Sequence, residues 1–178
     1  MKMNYFELYD IPLSFNPDLQ VVKQKFYALS KKYHPDFYIN QSPEKQEEAL
    51  ELSTLNNKAF QVLNDPQKRL HYILVLKDQL VEGENYILPQ AFLMEMMEVN
   101  EALMDLEFDP DPIRLAELKT QVAKIQERLA EELDGLMTTF DNHSAETNKD
   151  EPLKKIKDIY YRNKYLYRIK ESLRQLER

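Results

Sequence analysis

The stretch "ALSKKYHPDFYINQSPEKQEE" (residues 28–48) separates two helical patterns and decides how the first half of the chain folds. Pro35 keeps His34 out of helical geometry, so the helix that precedes it must end there. The carboxylate of Asp36 can accept hydrogen bonds from nearby backbone or from His34 and so fix the imidazole. We therefore expect two helices joined by a rigid corner at His34-Pro35-Asp36.

Prolines preceded by capping side chains mark the starts of other helices. There are four such pairs: Asn16-Pro17, Ser42-Pro43, Asp65-Pro66 and Asp111-Pro112. Each is followed by apolar residues at helical spacing, whereas no stretch alternates as a half-buried strand would. The pattern predicts an all-α protein with helices over 4–9, 17–33, 43–64, 66–79, 89–107, 112–140 and 151–177.

Two apolar stripes predict that the helices on either side of the corner pack together. The first stripe is Leu19, Val22, Phe26, Leu29 and Tyr33, and the second is Leu52, Leu55, Ala59, Phe60, Val62 and Leu63. Two such stripes joined by a loop must bury each other, which gives an antiparallel hairpin. The helix over 4–9 is too short to be stable alone, so we expect it to pack across the hairpin.

The second half of the chain is predicted to form an antiparallel three-helix bundle. Apolar residues repeat at near-heptad spacing, as Leu115, Leu118, Val122, Ile125, Leu129, Leu136 and Phe140 in one helix and Ile156, Ile159, Leu166, Leu173 and Leu176 in another. The segment "VEGENYILP" (81–89) contains Gly83 and is the best candidate for a linker, while 142–151 reads as a polar loop. We therefore predict domains over 1–80 and 89–178, joined by a linker over 81–88.

Composition excludes several classes of function. The 178 residues carry a net charge of −7, which argues against a general nucleic-acid binder. The absence of cysteine excludes disulfides and thiolate metal sites, and it fits a reducing cytoplasm.

No apolar run approaches membrane-spanning length, and "MKMNYFELYD" is not expected to be a presequence. The three histidines (His34, His71 and His143) lie on different segments and the carboxylates lack metal-ligand spacing, so we expect no catalytic residue, metal or cofactor.

The helix before the corner carries a basic face in an acidic protein. Between residues 19 and 33 there are four lysines, Lys23, Lys25, Lys31 and Lys32, and no acid. If the apolar stripe faces the core, Lys31 points nearly opposite to it, with the other three lysines on its flanks. A charged run is usually a solvated face, but one that ends at a rigid exposed corner indicates a docking surface.

The helix within "LPQAFLMEMMEVNEALMDL" (88–106) has two apolar faces. The inner stripe is Phe92, Met96, Val99, Leu103 and Leu106, and the outer side carries Leu93, Met94, Met97 and Met104 among Glu98, Glu101 and Asp105. A three-helix bundle cannot enclose a helix on all sides, so the outer face should be partly exposed. Exposed methionine-rich patches suit adaptable partner binding, whereas the alternative is packing of these side chains against the first domain.

Three segments of the first half resemble the J domain of DnaK-type co-chaperones. They are "YFELYDIP" (5–12), "DLQVVKQKFYALSKKYHPDFY" (18–38) and "LNNKAFQVLNDPQKRLHYILVL" (55–76). A single His-Pro-Asp tripeptide is a weak signal, but this ordered set is specific. The resemblance implies that His34, Pro35 and Asp36 dock, together with the basic face, on a DnaK-type ATPase and stimulate its ATP hydrolysis.

A narrower resemblance covers nearly the whole chain. The segments "FLMEMMEVNEAL" (92–103) and "DPQKRLHYILVLK" (65–77) are similar to those of the HscB family, J-domain co-chaperones that bring the iron–sulfur scaffold IscU to the chaperone HscA. The resemblance implies that the scaffold docks on the outer face of the first helix of the C-terminal bundle. The contact residues that it implies are Leu93, Met94, Met97, Glu98, Glu101 and Asp105, with an aromatic of the last helix at Tyr165.

The sequence leaves other functions open. The runner-up is a J-domain co-chaperone for a different client, because the outer patch specifies a surface more than the identity of its partner. A purely structural helical adaptor is another alternative, in which the corner is only a turn and no ATPase is stimulated. A nucleic-acid binder that uses the basic helix is the third, and it would show salt-dependent binding.

Overall fold

The computed structural model describes residues 3–142 and 150–176 and divides into two compact units, Met1–Asp78 and Gln79–Arg178. The described residues form seven α-helices and one short 3-10 helix, and they contain no strand. These elements are α1 (Tyr5–Leu8), α2 (Leu19–Lys32), the 3-10 helix (Pro35–Phe37), α3 (Pro43–Leu63), α4 (Pro66–Leu76), α5 (Gln90–Phe108), α6 (Pro112–Asn142) and α7 (Asp150–Leu176). The predicted all-α class is confirmed. The predicted polar loop falls largely on residues 143–149, which include His143 and lie outside the described ones.

None of the described helices combines the length and the hydropathy needed to cross a membrane.

Helix caps follow the predicted pattern at two of the four proline pairs. The carboxylates of Asp65 and Asp111 accept hydrogen bonds from backbone N–H groups of the first turns of α4 and α6. Two details of the prediction were wrong. Ser42 occupies the N-cap of α3 without a side-chain capping bond. Helix α2 begins at Leu19 rather than residue 17, because the capping side chain is that of Asp18 and not that of Asn16.

The predicted hairpin forms the core of the first unit. Phe26 of α2 stacks on Phe60 of α3 with ring centroids 4.2 Å apart, and Val22 is fully buried. Leu19 was predicted to belong to this stripe, but it lies in the first turn of α2 and is exposed. The short helix α1 packs on the hairpin as expected, and its Phe6 is buried.

A buried asparagine joins three segments of the first unit just before the corner. The hydroxyl of Tyr9 donates to Oδ1 of Asn56 at 2.9 Å, and Nδ2 of Asn56 donates to the Phe26 carbonyl (3.1 Å) and to Oγ of Ser30 (2.9 Å). Burial raises the pKa of Tyr9, so its phenol stays a neutral donor. A buried amide whose hydrogen bonds are satisfied in only one register fixes the pairing of α2 with α3.

The second unit is the predicted three-helix bundle. Its central hydrophobic cluster contains the buried residues Phe92, Met96, Val99, Leu103, Leu106, Leu118, Val122, Ile125, Leu129, Ile159, Leu166, Ile169 and Leu173. All five residues of the predicted inner stripe of α5 are among them. Between helices, Arg128 forms an ion pair with Glu95 at 2.7 Å, and Lys170 donates to the Gln126 side chain at 2.7 Å.

The segment before α5 is held against α7 by polar and aromatic contacts. Nζ of Lys157 lies 2.6 Å from Oε1 of Glu84, and the Tyr161 hydroxyl donates to the other oxygen of Glu84 at 3.1 Å. Tyr86 stacks on Tyr161 with centroids 4.4 Å apart and donates to the Asp158 carboxylate at 2.8 Å. The part of the chain predicted to be a linker therefore packs within the second unit, while the predicted domain boundaries stay a prediction.

Replacement of Glu84 by Gln should lower the stability of the protein in a pH-dependent way. The hydrogen bond from Lys157 lowers the pKa of Glu84 below the value of about 4.3 for glutamate in an unfolded chain. The ionised Glu84 therefore stabilises the fold above about pH 4.3, and this stabilisation is lost as the pH falls through the lower pKa of the folded state. Urea denaturation from pH 7 to pH 3 should show a difference between wild type and Glu84→Gln that disappears at the acid end. The exposed Glu82→Gln is the control, and a pH-independent difference for Glu84→Gln would contradict this assignment.

Candidate functional site

The corner after α2 has the backbone geometry that the sequence dictates. Tyr33 closes α2 through its N–H bond to the Leu29 carbonyl, and His34 then takes extended angles (φ −65°, ψ 128°) as a residue before proline must. Pro35 starts the 3-10 helix, in which the Phe37 N–H donates to the His34 carbonyl at 3.0 Å. The predicted rigid corner is present, and the side chains of His34 and Asp36 are 53% and 76% exposed.

The imidazole of His34 is held by backbone rather than by a carboxylate. Nδ1 of His34 accepts a hydrogen bond from the Asp36 N–H at 3.3 Å, and Oδ2 of Asp36 lies 3.6 Å from the same nitrogen. Because Nδ1 is the acceptor, the neutral ring carries its proton on Nε2. The corner therefore offers an exposed N–H donor beside an exposed carboxylate, a pair suited to hydrogen bonding with a partner.

Two side chains beyond the corner fasten it to the flanking helices. The Tyr38 hydroxyl donates to the Lys32 carbonyl at the end of α2, at 3.1 Å. Nε2 of Gln46, in α3, donates to the carbonyls of Ile39 and Gln41 at 3.1 and 3.0 Å. These bonds hold the exposed tripeptide in place without burying it.

The predicted basic face of α2 is accessible to a partner. Lys23, Lys31 and Lys32 are exposed, and within the part of the chain that the structure describes they form no ion pair. Lys25 differs, because its Nζ lies 3.6 Å from the Asp10 carboxylate. Three of the four lysines thus present uncompensated charge on the helix that leads into the corner.

The outer face of α5 is exposed, as its two-faced pattern predicted. Leu93, Met94, Met97 and Met104 show 42–62% of their surface to solvent, although each is a large apolar side chain. The carboxylates of Glu98, Glu101 and Asp105 are exposed on the same face. An apolar strip with an acidic border on a rigid helix can bind a protein surface.

Two predicted contact residues are engaged within the bundle. Asp105 forms an ion pair with Arg114 of α6 at 3.3 Å. Tyr165 is half-buried: its hydroxyl accepts a hydrogen bond from Nδ2 of Asn100 at 3.0 Å, and its ring lies edge-on to Phe92. Tyr165 therefore borders the outer face from α7, beside Asn100, and is fixed in position there.

The predicted set of contact residues omitted two apolar side chains of α5. Met104 belongs to the outer face by its spacing and is exposed, but it was not among the implied contacts. Phe108, the last residue of α5, is 86% exposed. Its position four residues after Met104 was the signal that could have identified it.

Among the described residues no group of histidine, aspartate and glutamate side chains could hold a metal ion. The corner and the outer face of α5 both consist of exposed side chains, an arrangement suited to docking.

Two family models match the chain, one in each unit. The DnaJ domain model matches residues 4–72, which include the corner and the basic face. The model of the HSCB C-terminal oligomerisation domain matches residues 88–174, which include both faces of α5.

Curated relatives match over most of their length. The co-chaperone protein HscB homolog of Colwellia psychrerythraea is 33% identical over 175 residues, which cover 96% of this chain and 98% of the relative. That of Vibrio cholerae serotype O1 is 34% identical over 135 residues, which cover 75% of this chain and 79% of the relative.

Two solved structures of HscB proteins are also similar to this chain. The crystal structure of human co-chaperone protein HscB matches with a TM-score of 0.67 and 25% identity, over 97% of this chain and 81% of the human one. Chaperone HscB from Vibrio cholerae matches with a TM-score of 0.60 and 29% identity, over 96% and 99% of the two chains. With both family models in order along one chain, and with relatives above 30% identity over most of their length, the chain belongs to the HscB family of J-domain co-chaperones.

Proposed function

We propose that the protein binds an IscU-type iron–sulfur scaffold through the outer face of α5, delivers it to an HscA/DnaK-type chaperone and stimulates the ATPase of that chaperone through His34, Pro35 and Asp36. In this proposal the protein is not itself an enzyme, needs no cofactor and acts in the cytoplasm. The observation that carries it is that one chain exposes two distinct surfaces, the His-Pro-Asp corner and an apolar–acidic helix face.

The electrostatics of α2 support the chaperone half of the proposal. Three exposed lysines without ion-pair partners in the described residues lead to the corner, so they can attract an acidic surface and orient it toward His34. The corner can then make short-range hydrogen bonds that a flexible loop would form only at an entropic cost.

The outer face of α5 supports the scaffold half. Apolar side chains are rarely left exposed in a cluster unless a partner covers them. A different client protein is the second candidate for this face. The apolar and acidic side chains of α5 would fit any protein surface that is apolar and has basic residues at its edge.

The direct test is single-turnover ATP hydrolysis by the DnaK-type chaperone, with this protein and an IscU-type scaffold added separately and together. The protein alone should stimulate hydrolysis, and the two together should stimulate it further. Stimulation without any effect of the scaffold would favour a different client. No stimulation at all would favour the structural adaptor.

Charge reversal of Lys31 and Lys32 to Glu should raise the concentration needed for half-maximal ATPase stimulation about tenfold or more at low salt. Added salt should weaken the wild type in the same direction, because exposed charges are screened within about 8–10 Å at ordinary ionic strength. Titrations at 50 and 300 mM salt provide the measurement.

The matched control for this charge reversal is Lys154→Glu with Lys155→Glu, which makes the same change in net charge at exposed positions of α7. It should leave the half-maximal concentration within about twofold of the wild type. An equal effect of both double variants, or a wild type insensitive to salt, would mean that the α2 lysines are only a solvated face.

A further inference from the structure

We infer that the partner-binding face of α5 continues past Asp105 to Phe108, and that its occupant is the client protein, presenting basic side chains beside an apolar ridge. The inference rests on the proposed function, because it concerns the same face of the same helix. It adds a contact residue and the chemistry of the opposing surface.

The position of Phe108 places it in line with the outer face. At 100° per residue, Phe108 lies about 40° round the helix from Met104 and about 20° from Glu101. It extends the exposed strip by one turn to the end of α5. At 86% exposure it is the most exposed of the large apolar side chains on α5, so nothing in the described bundle covers it. A wide aromatic ring at the end of an apolar strip is a typical anchor for a protein interface.

The charge on α5 determines what kind of surface can cover this strip. The helix contains five acids and no basic residue. Glu95 and Asp105 are neutralised by arginines of α6. The others, Glu98, Glu101 and Glu107, form no ion pair within the described residues. A partner that covers the apolar strip must therefore supply lysine or arginine at its edge, because burying unpaired carboxylates against a neutral or acidic surface is costly.

The same charge argues against a second copy of this chain as the occupant. A symmetric dimer through this face would place the same patch on both sides of the interface. The acidic border that includes Glu98 and Glu101 would then meet the same acidic border of the second copy, and α5 has no basic residue to offset it, so the contact would be repulsive. The client, and not self-association, is the occupant that fits.

The test is the affinity of the full-length protein for the IscU-type scaffold, measured by isothermal titration calorimetry. Phe108→Ala should raise Kd about tenfold, the scale of an interface anchor, whereas Phe108→Leu should restore most of the affinity. Tyr167→Ala is the matched control, because Tyr167 is an exposed aromatic residue of α7 (62% exposed) and lies outside the predicted contacts. It should leave Kd within about twofold. Glu98→Gln with Glu101→Gln should reduce the salt dependence of Kd.

The outcomes separate this inference from the proposed function. Wild-type affinity in Phe108→Ala, together with lost binding in a variant altered at Leu93, Met97 and Glu101, would overturn the extension alone. Wild-type affinity in both would overturn the scaffold half of the proposed function. A wild-type dimer in sedimentation equilibrium that Phe108→Ala dissociates would overturn the client as occupant.

Discussion

His34→Gln should abolish stimulation of the chaperone ATPase while leaving the protein folded. His34 is half-exposed at the corner, and its contacts there are local: its Nδ1 accepts from the Asp36 N–H, and its ring lies edge-on to that of Phe37. The loss of that local bond should cost no more than about 1 kcal/mol of stability, as for a capping residue. Single-turnover ATP hydrolysis gives the stimulation, and thermal unfolding gives the stability.

The mechanism predicted for His34 requires the imidazole ring itself. Another side chain that can form hydrogen bonds should not replace it. Glutamine can also donate and accept hydrogen bonds, but it cannot place a donor where the Nε2–H of the fixed imidazole lies. His71→Gln is the matched control, the same change at an exposed position of α4, and it should retain full stimulation. Normal stimulation by a folded His34→Gln variant would leave the corner as a turn and favour the structural adaptor.

The helices and their faces could be predicted because the signals for them are local. Pro35 alone ends one helix, and the spacing of Phe92, Met96 and Val99 alone shows which side of α5 faces the core. Exposure of the outer face follows from the number of helices available to cover it. The contact residues that the resemblance implies, such as Met97 and Glu101, lie on this outer face and are therefore exposed.

The features that were missed depend on partners far away in the sequence. Asn56 and Arg69 are polar residues within helices whose burial no sequence pattern indicated, and their side chains hydrogen-bond to backbone or side chains of other segments. Tyr86 lies in the predicted linker, and its contacts were not predicted: it stacks on Tyr161 and donates to Asp158, 72 residues away. Periodicity contains no information on such pairs.

The orientation of His34 was also beyond the sequence. The tripeptide predicts contact between His34 and Asp36, but either the carboxylate or the N–H of Asp36 could hold the ring. The 3-10 turn decides between them, because it brings the Asp36 N–H toward Nδ1 and leaves the carboxylate exposed. The groups that a partner would meet are therefore the Asp36 carboxylate and the Nε2–H of His34.

Replacement of Leu93, Met97 and Glu101 together by Ala should abolish scaffold binding at little cost in stability. The three side chains are exposed and point away from the inner stripe, so their truncation opens no cavity. Calorimetry with the IscU-type scaffold measures the binding, and urea denaturation measures the free energy of unfolding. ATPase stimulation without scaffold should be unchanged, because the corner and the basic face are intact.

Two sets of control variants make this result specific. Lys124, Glu127 and Glu131, all changed to Ala, alter the net charge by the same +1 on the exposed side of α6 and should leave scaffold binding unchanged. Phe92→Ala or Leu103→Ala, in the inner stripe, should instead lower the free energy of unfolding by about 2–5 kcal/mol, the usual cost of emptying a core position. A triple outer-face variant that loses stability but keeps scaffold binding would show that this face packs within the protein, and the client site would then lie elsewhere on the bundle.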